Sequence, residues 1–417
     1  MENETLRQRH KAVQADSAIG KVGDAVEEHP GGHVKHGGPK QLWRLLLVLT
    51  YTFSSCVSIV ATQCFGAPLY LFSKDLYYAY MALTKQSFGV FVTTLTQWWT
   101  PTLVRISGDA SVAGQLRKTP DGRAECLFPD RMVLIANHQL YSDWLYLWWI
   151  AYTNQPRMHG HIFIILKESL KYVPIIGWGM MFYGFIFMSR KMSTDQPRLA
   201  HRLQKLRARH AGPMSGSEGL DPMWLLIFPE GTNASDNGRK KSAAWAEKIG
   251  IKDMEHVLVP RSTGSFFCLN ELKGTVDYVY DCTLAYEGIP RGKFGQDYYT
   301  LRSMYLRGQP PPSVNMYWRR FAVKDIPLDN SEEFDLWLRE KWYEKDAIME
   351  EYMTTGRFPA SAEAIDGAGE DKGGYIETEV KLAHWWEVAN IFGVLVAIAL
   401  GFNLLSRVWT WAVYGTG

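Results

Sequence analysis

The sequence predicts an α/β domain, a sheet flanked by helices, held between N-terminal and C-terminal transmembrane helices. Three observations point there. Short apolar runs alternate with helical periodicity between residues 105 and 355. Uncharged apolar stretches lie between Arg44 and Lys74 and between Val388 and Ser406, each near the ~20 residues that cross a hydrocarbon core of about 30 Å. The composition, 47% hydrophobic and 21% charged over 417 residues, is that of a folded chain and excludes global disorder or a collagen-like fibre. With 45 basic and 43 acidic residues the net charge is +2, so no electrostatic ground exists for a nucleic-acid partner.

Residues 1–40 are polar, contain Gly31, Gly32, Gly37 and Gly38, and are expected to be a disordered tail without the features of a signal peptide. His29, His33 and His36 lie there without a scaffold to fix their geometry, so no metal site is expected. Residues 41–104 are expected to hold the N-terminal membrane segments. Leu45 to Ala67 reads as a spanning helix; Gln86 to Val104, weakened by Pro101 and several Thr and Gln residues, either crosses or lies in the interface. Lys35, Lys40 and Arg44 precede the first span and Lys74 follows it, which places the N-terminus in the cytosol and, after two crossings, returns the α/β domain there. A further uncharged run, Tyr172 to Ser189, is interrupted by Pro174, Gly177, Gly179 and Gly184, and is expected to be buried or shallowly inserted rather than crossing.

Within 105–355, Met132 to Ala136, Ile162 to Leu166, Phe185 to Met188, Trp224 to Phe228, Val257 to Val259, Val276 to Ala285 and Val314 to Val323 read as strands. Helices are expected near Asp143 to Tyr152 and Arg198 to Arg209, and after a cap at Asn330 or Ser331. The last of these aligns Phe334, Leu338, Trp342, Met349 and Tyr352. Residues 356–382 read as a flexible linker, and 383–417 as the C-terminal transmembrane segment with Trp385, Trp386, Trp409 and Trp411 at its borders. Sixteen Trp and 21 Tyr suit a chain that works at a membrane interface. The five cysteines, an odd number without C-x-x-C spacing, are expected to be unpaired thiols.

Chemistry concentrates where apolar strands end. In Met132 to Trp144 a strand stops at Asn137, His138 occupies the loop, and Ser142 or Asp143 can cap the next helix. A histidine removes protons near neutral pH, and a carboxylate beside it fixes its tautomer. Taken alone, the pair fits a helix cap and a loop histidine equally well. Phe228-Pro-Glu-Gly-Thr232 follows another strand, with Pro229 ending it and Gly231 free to take a positive φ. Glu230 there suits orienting a base or accepting from a substrate hydroxyl. Arg190 closes the run from Gly184 with a donor fork suited to phosphate, and Lys167 supplies a point charge one segment earlier. Arg198, Arg202, Lys205, Arg207 and Arg209 on one helix suit anionic headgroups, CoA phosphates or plain solvent.

Together these blocks resemble the glycerolipid acyltransferase family, which includes 1-acylglycerol-3-phosphate acyltransferases. The resemblance rests on Asn137-His138 with Asp143, on Val173-Pro174 through Arg190, on Phe228 to Thr232, and on Val259-Pro260-Arg261. NHQLYSDWLYLW, IGWGMMFYGFIFMSRK, LLIFPEGTN, AWAEKIG and VLVPRSTG are most similar to the eukaryotic lysocardiolipin and lysophosphatidylinositol acyltransferase branch. It implies an acyltransferase-type sheet and transfer of an acyl chain from acyl-CoA, a co-substrate rather than a cofactor, to a lysophospholipid hydroxyl. His138 and Asp143 would then be catalytic. Arg190 and Glu230, Gly231 and Thr232 would hold the substrate phosphate, Lys167 is a candidate oxyanion donor, and Pro260 with Arg261 would help form the acyl or acceptor site. The family also suggests the endoplasmic reticulum. Two alternatives stay open: a CoA-independent transacylase or lipid hydrolase, and a non-catalytic lipid-binding protein.

Overall fold

The computed structural model describes residues 28–189, 191–209, 219–366 and 374–414. A central sheet of eight strands runs in the order β11-β1-β9-β8-β4-β7-β5-β6. The strands are β1 (Leu103–Gly108), β4 (Arg131–Ala136), β5 (Ile162–Lys167), β6 (Ile186–Met188), β7 (Met223–Ile227), β8 (Tyr278–Tyr286), β9 (Ser313–Ala322) and β11 (Ile376–Glu379); β2 (Leu116–Lys118), β3 (Ala124–Cys126) and β10 (Ile365–Asp366) form a small second sheet. From β8 to β6 every neighbour is parallel, whereas β9 is antiparallel to β8.

β4 shows why a central parallel strand reads as a continuous apolar run: it is buried at all of its positions. Met132, Leu134 and Ala136 enter one core, while Val133 and Ile135 enter the other. Helices α1 (Gly38–Gly66), α2 (Lys74–Trp99) and α3 (Asp143–Thr153) lie on the first face. The second is covered by α4 (Met192–Leu206), α5 (Ser262–Leu272) and α6 (Ser331–Thr355), whose Leu203, Leu269, Phe334, Leu338 and Trp342 are buried there. Asn330 caps α6 by accepting from the Glu332 N–H, as its position before Glu332 and Glu333 led us to expect.

The N-terminal helix is long and apolar enough to cross a membrane, as is the C-terminal helix α7 (Gly393–Tyr414). They differ in setting. α7 stands clear of the body, with Leu400, Phe402, Leu404 and Leu405 each at least 64% exposed. α1 lies along the body and is tied to it at both ends: Arg44 donates to the carbonyls of Tyr305 and Trp99 at 3.0 and 2.8 Å, and Gln63 to that of Gly179 at 3.4 Å. Ser55, Ser58, Ile59, Thr62, Gln63 and Gly66 are its buried face, while Leu46, Leu49 and Phe53 point away from the protein.

Four expectations need correction. Gln86 to Val104 is not a free apolar segment; it lies in α2, where Val90, Phe91 and Val92 pack into the core, and it ends in β1. Val257 to Val259 forms no strand, because Asp346 takes the backbone N–H groups of Glu255, His256 and Val257 that a sheet would otherwise have to satisfy. The expected linker at 356–382 contains β10 and β11, the latter pairing antiparallel to β1 through Leu103 to Ile106. The end of the expected tail is also placed: the His29 ring bonds to the Tyr298 carbonyl at 2.8 Å, and Lys35 N–H donates to Arg307 O at 3.0 Å. The rest of that tail, residues 1–27, lies outside the described residues. All five cysteines are free, and Cys126, Cys268 and Cys282 are buried.

Candidate active site

Parallel strands put their C-terminal ends on one edge, the usual ligand edge of an open α/β sheet. Along the order β4, β7, β5, β6 that edge carries His138, the Pro229-Glu230 turn, Lys167 and Ser189. Arg190, the expected phosphate fork, lies outside the described residues; on either side of it the Ser189 and Lys191 N–H groups donate to the Asp195 carboxylate at 3.0 and 3.1 Å. Lys167 is exposed at the end of β5, two strand spacings or about 10 Å from β4.

His138 is delivered by a clamp. β4 pairs with β8 as far as Ala136 opposite Cys282. Beyond it, the buried Asn137 side chain replaces the backbone, donating to Leu284 O at 3.0 Å and accepting from Leu284 N–H at 2.8 Å. The strand thus stays fastened to β8 while the chain leaves the sheet. The next carbonyl, that of His138, accepts from Ala234 N–H at 2.7 Å. The ring itself stacks on Phe228, with centroids 4.3 Å apart and 23° between planes.

Asp143, in the first turn of α3, is fully buried. Its carboxylate accepts from His138 Nδ1 at 2.8 Å, from the Tyr286 hydroxyl at 2.6 Å and from Leu140 N–H at 3.0 Å. Because Nδ1 donates to the carboxylate, Nε2 is the acceptor of the neutral ring. The imidazole side chain keeps 21% of its surface exposed. An oriented, accessible base nitrogen is what this arrangement supplies.

The second motif supports the first from below. Glu230 is buried, its Oε2 accepting from His138 N–H at 3.3 Å and its Oε1 from Trp342 Nε1 at 3.4 Å. Burial pushes its carboxyl up to about 7, opposed by the nearby His138 and its N–H. Gly231 takes φ 70°, which lets its N–H turn back to Phe228 O at 3.0 Å, and Thr232 stays half-buried beside it. The third loop is joined to this turn by Arg261 N–H donating to Pro229 O at 2.8 Å, next to the buried Pro260. The Arg261 guanidinium lies 4.1 Å over the Trp245 ring, and partial burial lowers its pKa.

His138, Asp143, Glu230, Gly231, Thr232, Pro260 and Arg261 are therefore brought together. Tyr286 and Trp342 were not expected there. Tyr286 lies one residue past the anticipated strand Val276 to Ala285 and Trp342 belongs to an anticipated core stripe, so neither carried a mark separating it from packing residues.

Residues 121–287, which contain this edge, match the family described as Acyltransferase, and residues 304–384 match that described as Acyltransferase C-terminus. An uncharacterized acyltransferase of Schizosaccharomyces pombe is 34% identical over 355 residues, covering 84% of this chain and 94% of that protein. The 2-acyl-1-lysophosphatidylinositol acyltransferase of Saccharomyces cerevisiae is 37% identical over 337 residues, 75% of this chain and 84% of that protein. The lysocardiolipin acyltransferase 1 of Danio rerio is 33% identical over 246 residues, 57% of this chain and 56% of that protein. The chain belongs to the acyltransferase family. Within it, the chain sides with the glycerolipid enzymes, on the branch of the lysocardiolipin and lysophosphatidylinositol acyltransferases.

Proposed function

We propose that this chain is a membrane-bound O-acyltransferase that moves an acyl chain from acyl-CoA to the free glycerol hydroxyl of a lysophospholipid, with lysophosphatidic acid, lysophosphatidylinositol and lysocardiolipin as candidate acceptors. The observation that carries the reading is the buried Asp143 carboxylate bonded to His138 Nδ1, which leaves Nε2 to act. In this mechanism Nε2 takes the hydroxyl proton as the glycerol oxygen attacks the thioester carbonyl carbon. The new C–O bond gives a tetrahedral oxyanion. Its collapse breaks the C–S bond, and the CoA thiolate leaves, taking the proton back from the imidazolium. Asp143 stabilises that imidazolium, and no acyl-enzyme forms. A thiol with a pKa of about 8.5 is a far better leaving group than an alkoxide, so a strong general acid is not required.

Lys167 or a backbone N–H near His138 is the oxyanion donor in this reading; the His138 and Leu140 N–H groups are already given to Glu230 and Asp143. Arg190, the Glu230 to Thr232 turn and the Pro260-Arg261 loop form the phosphate and acceptor site. Both Glu230 oxygens are engaged within the protein, which favours a turn-anchoring role over direct contact with a substrate hydroxyl. For the membrane we propose that α7 crosses while α1, tied to the body at both ends, sinks its outward face of Leu46, Leu49 and Phe53 into one leaflet. Leu170, Tyr172, Trp178 and Met181, all exposed near α1, extend that face. Residence in the endoplasmic reticulum with the body in the cytosol is the compartment we assign.

The test is an assay of membranes from cells expressing wild type or His138→Ala, given labelled acyl-CoA and each of the three lysophospholipids, with free CoA measured alongside. Wild type should label at least one acceptor and release one CoA per ester. Equal labelling by His138→Ala refutes the catalytic assignment, and labelling without CoA release points to transacylation.

A further inference from the structure

A cavity of about 430 Å³ lies at the edge of the sheet opposite the His138 site. Its lining includes His161 before β5, Gly184 before β6 and Asp221 before β7, all N-terminal strand ends. The length of β7, roughly 17 Å at five residues, separates it from the Phe228 turn. Into this cavity faces Lys85, only 3% exposed. Its Nζ donates to Ile162 O at 3.0 Å and sits 3.8 Å over the Phe163 ring. Among the described residues it makes no ion pair, although an ammonium carries three donors and a buried charge is costly unless paired.

Arg202 and Lys205 of α4 line the same cavity, as do Tyr77, Tyr78, Asp75 and Asp221. Beside it, Leu71 and Phe72 are 83% and 85% exposed, and Leu76 is 50% exposed. We infer that this cavity binds the headgroup of an anionic glycerophospholipid that carries free hydroxyls, its acyl tails lying over Leu71, Phe72 and Leu76. The phosphate meets Lys85, Arg202 and Lys205, while the hydroxyls donate to Asp75 and Asp221 and exchange hydrogen bonds with the tyrosines. A choline headgroup carries no hydroxyl to donate to Asp75 and Asp221 or to exchange hydrogen bonds with the tyrosines. The site rests on the membrane contact proposed above for α1 but not on acyl transfer, and its readout is binding.

The experiment uses the full chain in detergent micelles containing phosphatidylinositol or phosphatidylcholine, followed by thermal melts. Phosphatidylinositol at roughly 100 times Kd should raise Tm by about 3 °C, and phosphatidylcholine should leave it unchanged. The shift should disappear in Arg202→Ala/Lys205→Ala and in Lys85→Met, and persist in Lys167→Ala/Arg261→Ala at the other edge. The surface pair of substitutions decides the matter if Lys85→Met fails to fold. Equal shifts from both lipids, loss only in Lys167→Ala/Arg261→Ala, or the same shift from glycerol 1-phosphate alone overturns the proposal.

Discussion

Replacing Asp143 by Asn tests the proposed base most directly, because the change is nearly isosteric and its consequences can be read from the surroundings. Three groups converge on this carboxylate, and all of them donate: His138 Nδ1, the Tyr286 hydroxyl and Leu140 N–H. An asparagine offers one acceptor oxygen and one NH2, so at least one donor must face the amide hydrogens. If that donor is His138, the ring switches tautomer, Nδ1 becomes the acceptor and the hydrogen moves to Nε2, which can no longer take a proton. If it is Leu140, a buried donor loses its partner at a cost of about 1–3 kcal/mol; if it is Tyr286, the hydroxyl turns and accepts from the amide, and what is lost is the negative charge that stabilises the imidazolium. The corresponding change in the serine-protease triad costs about 10⁴ in kcat through the tautomer alone. We therefore expect kcat to fall by about 10³ to 10⁴ with KM nearly unchanged, since Asp143 is buried behind the ring and touches no substrate. The assay is initial-rate release of CoA over a range of lysophospholipid concentrations, with a melt of each protein to confirm folding. A variant that keeps its Tm and retains kcat within threefold of wild type would show that His138 is not oriented in the way described.

Three further outcomes follow from separate features. Asn137→Ala removes both bonds to Leu284 and strands a buried N–H and C=O; a loss of about 2–5 kcal/mol is expected, seen as a lower urea midpoint with an unchanged m-value. Glu230 has its carboxyl raised to about 7 by burial, above its ordinary 4.5. The folded state therefore binds more protons than the unfolded state between those values, and stability must fall as pH rises through that window, by about 3 kcal/mol in all. Glu230→Gln should flatten this slope; identical pH–stability curves for the two proteins refute the assignment. Because Lys35 and Arg44 bond to the body at one end of α1 and Gln63 at the other, tags at residue 28 and residue 300 should be digested together when protease is added to sealed microsomes. Protection of one alone means that α1 crosses.

How much of this was legible beforehand depended on whether the signal was local. β4, β7 and their motifs were readable because an apolar run buried on both faces ends abruptly in Asn137-His138 or Pro229-Glu230, and the His138–Asp143 contact spans a single turn. Tyr286 reaches Asp143 from 143 residues away and Trp342 reaches Glu230 from 112, so nothing in either neighbourhood could announce them. β11 was hidden because an edge strand needs only alternate apolar positions, and here Ile376 and Thr378 alone turn inward from an acid-rich segment.

α1 is the instructive case. Hydropathy counts apolar residues without asking which way they face, and by that count α1 and α7 are alike. The distinction was present in the order of the polar residues. Ser55, Ser58, Thr62 and Gln63 recur at helical spacing and, with Ile59 and Gly66, form the face that packs on the protein, leaving Leu46, Leu49 and Phe53 outside. Such an order of polar and apolar residues is the reverse of that on a helix docking in water, which supports our proposal that the outer face meets hydrocarbon. The bonds from Arg44 and Gln63 fasten both ends of α1 to the folded body, and they are why we propose that it lies in a leaflet rather than carrying its two ends to opposite faces of a bilayer.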